Sequence, residues 1–83
     1  MTATLSTTDI KSRVRAFLDG RLPADLADDE DIFEAGLVNS LFAMQLVVFV
    51  EQEFAFRIGN DDLERDNFRS VDAITALVAR NVS

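Results

Sequence analysis

The chain contains no cysteine and no histidine. Without cysteine no disulfide can brace the fold and no thiolate metal site can form. Without histidine most zinc sites and every Ser-His or Cys-His catalytic pair are excluded. Basic residues are scarce as well: eight Lys and Arg stand against fifteen Asp and Glu, for a net charge of −7. No basic stripe is available to displace counterions from nucleic acid, and an anionic membrane surface would repel such a chain. Long apolar runs are missing too. The longest, residues 46–50, is far too short to span a bilayer. The opening MTATLSTTD lacks the charged-then-apolar order of a signal peptide, and no lipidation motif is visible. These absences predict a cytoplasmic protein that engages neither nucleic acid nor membrane. It is expected to be a monomer.

What is present is apolar and helical in spacing. A chain of 83 residues has room for one domain with a single modest core, and without staples that core must be well packed. Seven Phe, with many Leu, Val, Ile and Ala, can supply the packing. Thr7 or Thr8 can cap a first helix, with Asp9 near its positive end. Ile10, Val14, Phe17 and Leu18 follow at helical spacing, and Gly20 is a natural stop. Residues 21–39 read as a long connection, punctuated by Pro23. Leu22, Leu26, Ile32, Phe33 and Leu37 are spread through it and can pin it to a bundle. A connection of that length in a small domain is functional or disordered, and its apolar anchors favour order. After Gly59, residues 60–64 predict a short helix anchored by Leu63. Phe68 is a core plug. Ser70 caps a last helix whose inner face is Val71, Ile74, Leu77 and Val78, with Asp72 and Arg80 complementing its dipole. The expected fold is all-α: one domain over residues 1–83, a small four-helix bundle with three main helices and one short one, at about 8–19, 40–54, 60–64 and 71–80, and a long first loop.

The second helix carries more apolar surface than a core needs. Leu46, Val50 and Phe54 recur every four residues, with Ala43 and Val47 beside them, which makes one inward stripe. Yet Leu41, Phe42, Met44, Val48 and Phe49 are apolar too. Full burial of such a helix is hard in so small a domain. An exposed patch is therefore expected at Leu41, Phe42, Met44 and Val48, with Glu51 and Glu53 at its rim, as a surface for partners. The charge is uneven in the same region. Between residues 21 and 57, both Arg, there are eight acids and no base. That interval is either a solvated loop or a field that speeds the approach of basic partners and fades with salt.

Ser40 stands at the start of this helix, and three chemistries compete for it. A serine nucleophile needs a base and an oxyanion hole. The only Lys is Lys11, and G-L-V-N-S-L lacks the flanking glycines of a nucleophile elbow. Calcium fails on spacing: counted from Asp28, the sixth residue is Phe33 and the twelfth is Asn39, where an EF-hand requires Gly and Glu. The third chemistry is attachment. A hydroxyl at a helix N-terminus can carry a phosphodiester, whose charge the dipole partly offsets. The plain alternative is a capping serine, since Asn39 or Ser40 can cap this helix and Ser is a favoured cap.

Over residues 31–78 the chain resembles the acyl carrier proteins of fatty-acid, polyketide and nonribosomal peptide pathways. The family pattern of an apolar residue, a gap, Gly, an apolar residue and then Asp-Ser-Leu appears as Phe33, Gly36, Leu37 and Asn39-Ser40-Leu41. The acidic cluster with Phe and then Ile appears as Glu51, Gln52, Glu53, Phe54 and Ile58. The short acidic segment appears as Asp61, Asp62, Leu63 and Glu64, and the opening of the last helix as Ser70-Val71. The resemblance implies that Ser40 accepts 4′-phosphopantetheine from coenzyme A, through a separate phosphopantetheinyl transferase that uses Mg²⁺. The thiol so acquired would hold acyl groups as thioesters, so the chain itself would not be an enzyme. Asn39 stands where the family has Asp, and Phe42 where fatty-acid carriers tend to be polar or acidic. The stretch VNSLFAMQLV is more similar to small discrete carriers of secondary metabolism. Those carry a glyceryl unit, or a hydroxy-, alkoxy- or aminomalonyl extender unit, for polyketide or hybrid peptide assembly. The partners this implies are the transferase, an acyl-loading enzyme, acyl-modifying dehydrogenases, and the acyltransferase or ketosynthase domains of a synthase. The competing expectations are a peptidyl or aminoacyl carrier, a helical interaction module that needs no cofactor, and, more remotely, an autonomous hydrolase.

Overall fold

The computed structural model describes residues 6–82. Residues 1–5, where the segment read for targeting signals begins, and residue 83 lie outside the described residues. Three α-helices form: α1 (Thr7–Leu18), α2 (Ser40–Phe54) and α3 (Val71–Val82). Among the described residues the only β-type pairing is an isolated bridge between Asp19 and Leu22. No helix among them is long and apolar enough to cross a membrane.

The all-α expectation holds, but the fourth helix does not. Residues 60–64 form no α-helix; two 3-10 turns, Asn60–Asp62 and Arg65–Asn67, take its place. The reason is an insufficient apolar stripe. Leu63, expected as an anchor, is 47% exposed, so nothing in the segment repays the cost of ordering a full helix. The turns are held locally instead: the Asn67 side-chain amide donates to the Asp62 carbonyl at 2.9 Å.

Helix starts follow capping chemistry. Ser6, rather than Thr7 or Thr8, caps α1, its hydroxyl accepting from the Asp9 N–H at 3.1 Å. Ser70 caps α3 as expected, accepting from the Ala73 N–H at 3.0 Å. Beyond α1 the chain turns at Gly20, whose φ of +80° is left-handed and suits the residue that has no Cβ. At the end of α2 the left-handed position is filled by Ala55, φ +57°, a conformation that costs a residue with a Cβ.

The core is continuous. Ile10, Val14 and Leu18 from α1, Leu46, Val50 and Phe54 from α2, and Val71, Ile74, Leu77 and Val78 from α3 are buried together. Phe68 plugs the core as the sequence predicts, and Leu26 and Ile32 bury the long first loop against it. Leu22, Phe33 and Leu37 pack at its edge, half-buried. The loop is tied down by backbone as well: the Ile32 N–H donates to Arg69 O at 2.7 Å, and the Asp72 N–H to Asp28 O at 2.9 Å. Asp28 then locks it to α1. Its carboxylate accepts from Arg15 Nε at 3.0 Å and lies 3.2 Å from Lys11 Nζ, which also reaches Asp72 at 3.0 Å. Arg15, and after it Lys11, hold the Asp28 carboxyl below the usual aspartate range. Asp72, and after it Asp28, raise the Lys11 ammonium above its ordinary value.

Candidate functional site

The loop delivers Ser40 through a single capped turn. Asp31 Oδ1 accepts from the N–H groups of Phe33 and Glu34, both at 3.0 Å. The turn closes where Gly36 N–H donates to Phe33 O and Leu37 N–H to Ile32 O, both at 3.0 Å. That pair of bonds requires a left-handed residue, and Gly36 supplies it with φ +74°. The spacing of Phe33, Gly36 and Leu37 is therefore a device for ending one helical turn and starting α2 at a fixed distance. Ile32 is buried beneath it.

At the start of α2, Asn39 is the cap and Ser40 is not. Asn39 is extended, with φ −104° and ψ 178°, and its Oδ1 accepts from the Phe42 N–H at 2.8 Å. Ser40 is the first helical residue and is exposed. None of the side-chain hydrogen bonds among the described residues uses its hydroxyl, because the capping task that would have turned it inward is already taken. The first turn of α2 contains no acidic residue, so the positive end of the helix dipole faces the hydroxyl uncompensated. Exposed, unengaged and next to unpaired helical N–H groups, Ser40 fits the demands of a phosphodiester attachment point.

Beyond Ser40 the apolar ridge divides. Leu41 and Met44 are 68% and 65% exposed, and Val48 is 47% exposed. Phe42, expected in the exposed patch, is half-buried instead, because it belongs to an aromatic row: its ring lies 6.1 Å from that of Phe17, which stacks on Phe49 at 4.2 Å. Arg21 covers Phe17 at 4.4 Å. The two rim acids have occupations of their own. Glu51 accepts from the Ile58 N–H at 2.8 Å, which folds back the chain after α2, and Glu53 pairs with Arg13 at 3.2 Å. On the face of α2 that continues from Ser40, Ala43 and Val47 join Phe33, Leu63, Glu64, Arg65 and Phe68 around a shallow cleft of about 230 Å³.

Sequence reasoning missed two parts of this arrangement. It left Asn39 and Ser40 equal as caps, although Asn is a favoured cap in its own right. It gives Asp28 no role beyond one of eight acids, because no local signal marks its partners, which lie 13 and more residues away.

An exposed serine at the head of the second helix of a small helical bundle, delivered by a capped Gly turn, describes a carrier domain. The comparisons agree. The family described as "Phosphopantetheine attachment site" matches residues 8–78. D-alanyl carrier proteins of Streptococcus gordonii and Streptococcus thermophilus are each 31% identical to the chain over 68 residues, which covers 80% of this chain and 86% of theirs. The chain belongs to the phosphopantetheine-binding carrier family. Its prosthetic group is 4′-phosphopantetheine. Such carriers are not themselves enzymes; they work with a phosphopantetheinyl transferase and with enzymes that load them.

Proposed function

We propose that Ser40 is the residue that receives the phosphopantetheine arm. The observation that carries this is the division of labour at the start of α2: Asn39 makes the cap and leaves the Ser40 hydroxyl exposed. The arm supplies the thiol that this Cys-free chain lacks. The chain's own residues supply the rest: Ser40 the point of attachment, Asn39 and the turn closed by Gly36 its position, and Leu41, Met44 and Val48 the surface on which a visiting enzyme closes. Phe42 lends that surface one edge of its aromatic row, and Glu51 and Glu53 border it.

For the cargo, the likeness to D-alanyl carrier proteins favours an aminoacyl group. A second reading, a glyceryl or a hydroxy-, alkoxy- or aminomalonyl unit for polyketide assembly, is supported by Asn39, Phe42 and the stretch VNSLFAMQLV. Incubation with coenzyme A, Mg²⁺ and a broad transferase, followed by intact-mass measurement, tests the attachment. Wild type is expected to gain the arm and Ser40→Ala to gain none. Equal gain in both would overturn the assignment. Offering the loaded arm's thiol to purified aminoacyl- and glyceryl-loading enzymes then separates the cargoes by which thioester forms.

A further inference from the structure

The charge map around Ser40 is unusual for this chain. Residues 35–50 contain no charged side chain, although Asp, Glu, Lys and Arg make up 28% of the sequence. A phosphodiester on Ser40 would therefore place an anion in a neutral stretch, beside a helix start with no acid in its first turn. The residue next to it is an amide fixed by one of its two ends. Asn39 Oδ1 is held on the Phe42 N–H at 2.8 Å, which sets the plane of the side chain and leaves Nδ2 with both its protons. No hydrogen bond among the described residues uses Nδ2, and Asn39 is exposed. A carboxylate at this position would make the same cap, but it would offer no donor and would place a second negative charge beside the phosphate.

Resting on the Ser40 assignment, we propose that Asn39 is a positioning residue for the arm. Its side-chain amide caps α2 through Oδ1 and donates through Nδ2 to the phosphodiester on Ser40. Together with the unpaired N–H groups of the first helical turn, it restrains the root of the arm on the α2 side. A charge-assisted bond of this kind is stronger than its neutral counterpart, and nothing with a like charge lies next to it in sequence.

The test compares wild type with Asn39→Asp, which keeps the cap and so keeps the fold, each prepared with and without the arm. In ¹⁵N-labelled wild type, attachment is expected to move one of the two Asn39 Nδ2 protons downfield and to slow its exchange with water several-fold. In Asn39→Asp, attachment is expected to lower the melting temperature by about 2–4 °C at low salt, and the drop should shrink at high salt, where surface charges are screened. Wild type should show no such drop. Unchanged exchange at Asn39 Nδ2, or equal melting shifts in the two proteins, would overturn the positioning role while leaving Ser40 as the attachment residue. An arm that is still gained by Ser40→Ala would overturn both.

Discussion

Helices α2 and α3 put their apolar residues to different uses. In α3, Val71, Ile74, Thr75, Leu77 and Val78 are buried, and its inward face is consumed by the core. Helix α2 is longer and richer in apolar residues, yet only Leu46, Val50 and Phe54 are buried. Leu41, Met44 and Val48 stay in solvent. Apolar content alone would rank α2 as the more central helix, and burial ranks it the other way. On the function proposed for Ser40, this surplus apolar surface is where other proteins would dock, whereas the same residue types in α3 hold the molecule together.

The sharpest way to break this contrast is to truncate side chains from each set. Leu46→Ala and Ile74→Ala remove side chains with no exposure and are expected to cost about 2–5 kcal/mol each in urea denaturation. If Leu41→Ala costs as much as Leu46→Ala, the two faces of α2 are not distinct and the ridge is structural. Next in size is the cap. Asn39→Ala leaves the Phe42 N–H without its acceptor and is expected to cost about 1 kcal/mol. Ser40→Ala should leave stability within about 0.5 kcal/mol, because the serine has no capping task. A reversal of that order would show that Ser40, not Asn39, anchors the helix.

The loop lock sets the pH limits of the region that feeds the site. The Asp28 carboxyl is depressed by Arg15 and Lys11. Its contribution is therefore present above the unfolded aspartate value, about 4, and is lost as pH falls through the lower folded value. Lys11 is raised by Asp72 and Asp28. Its contribution is present below the unfolded lysine value and is lost as pH climbs through the higher folded one. Between these limits the lock should not respond to pH. Thermal melts from pH 7 into the acid range should show wild type losing stability more steeply than Asp28→Asn, which no longer has the carboxylate to protonate. Parallel acid limbs for the two proteins would show that the lock contributes nothing measurable.

Much of this was legible in the sequence, and the gaps have physical reasons. The bounds of α2, the Ser70 cap, the Phe68 plug and three of the four expected ridge residues, Leu41, Met44 and Val48, follow from local rules of spacing and capping, and the structure agrees with them; the fourth, Phe42, is half-buried because Phe17 offers its ring a partner. The start of α1 was missed by one residue because Ser6, Thr7 and Thr8 are all acceptable caps and only the geometry chooses among them. One leucine, Leu63, is all that predicts a helix over residues 60–64, and one exposed leucine does not hold a helix down. Asp28 could not be seen as a lock, because its meaning lies in Lys11, Arg15 and Asp72, which only the folded chain brings together. The same blindness inflated the acidic interval. Asp31 caps a turn and Glu51 holds a backbone N–H, which fixes their places and leaves their charge, while Glu53 pairs with Arg13, so the interval is more structural than a count of acids implies.

That revision yields the smallest of the expected effects. A field built from eight free acids would slow partner association by a factor of 10 or more as salt rises, since steering is worth about 10–10³ in rate. With Asp28, Glu34 and Glu53 paired to neighbouring cations and residues 35–50 uncharged, close approach to Ser40 should depend mainly on the apolar ridge. Raising salt is expected to change the rate of arm transfer by less than about threefold, because the stretch that meets the partner is uncharged and the remaining acids lie outside it. Met44→Ala and Val48→Ala should slow the same reaction at every salt concentration while leaving stability within about 0.5 kcal/mol. A tenfold fall in rate with salt alone, measured by mass over a time course, would return the acids to the leading role and leave the ridge as a secondary contact.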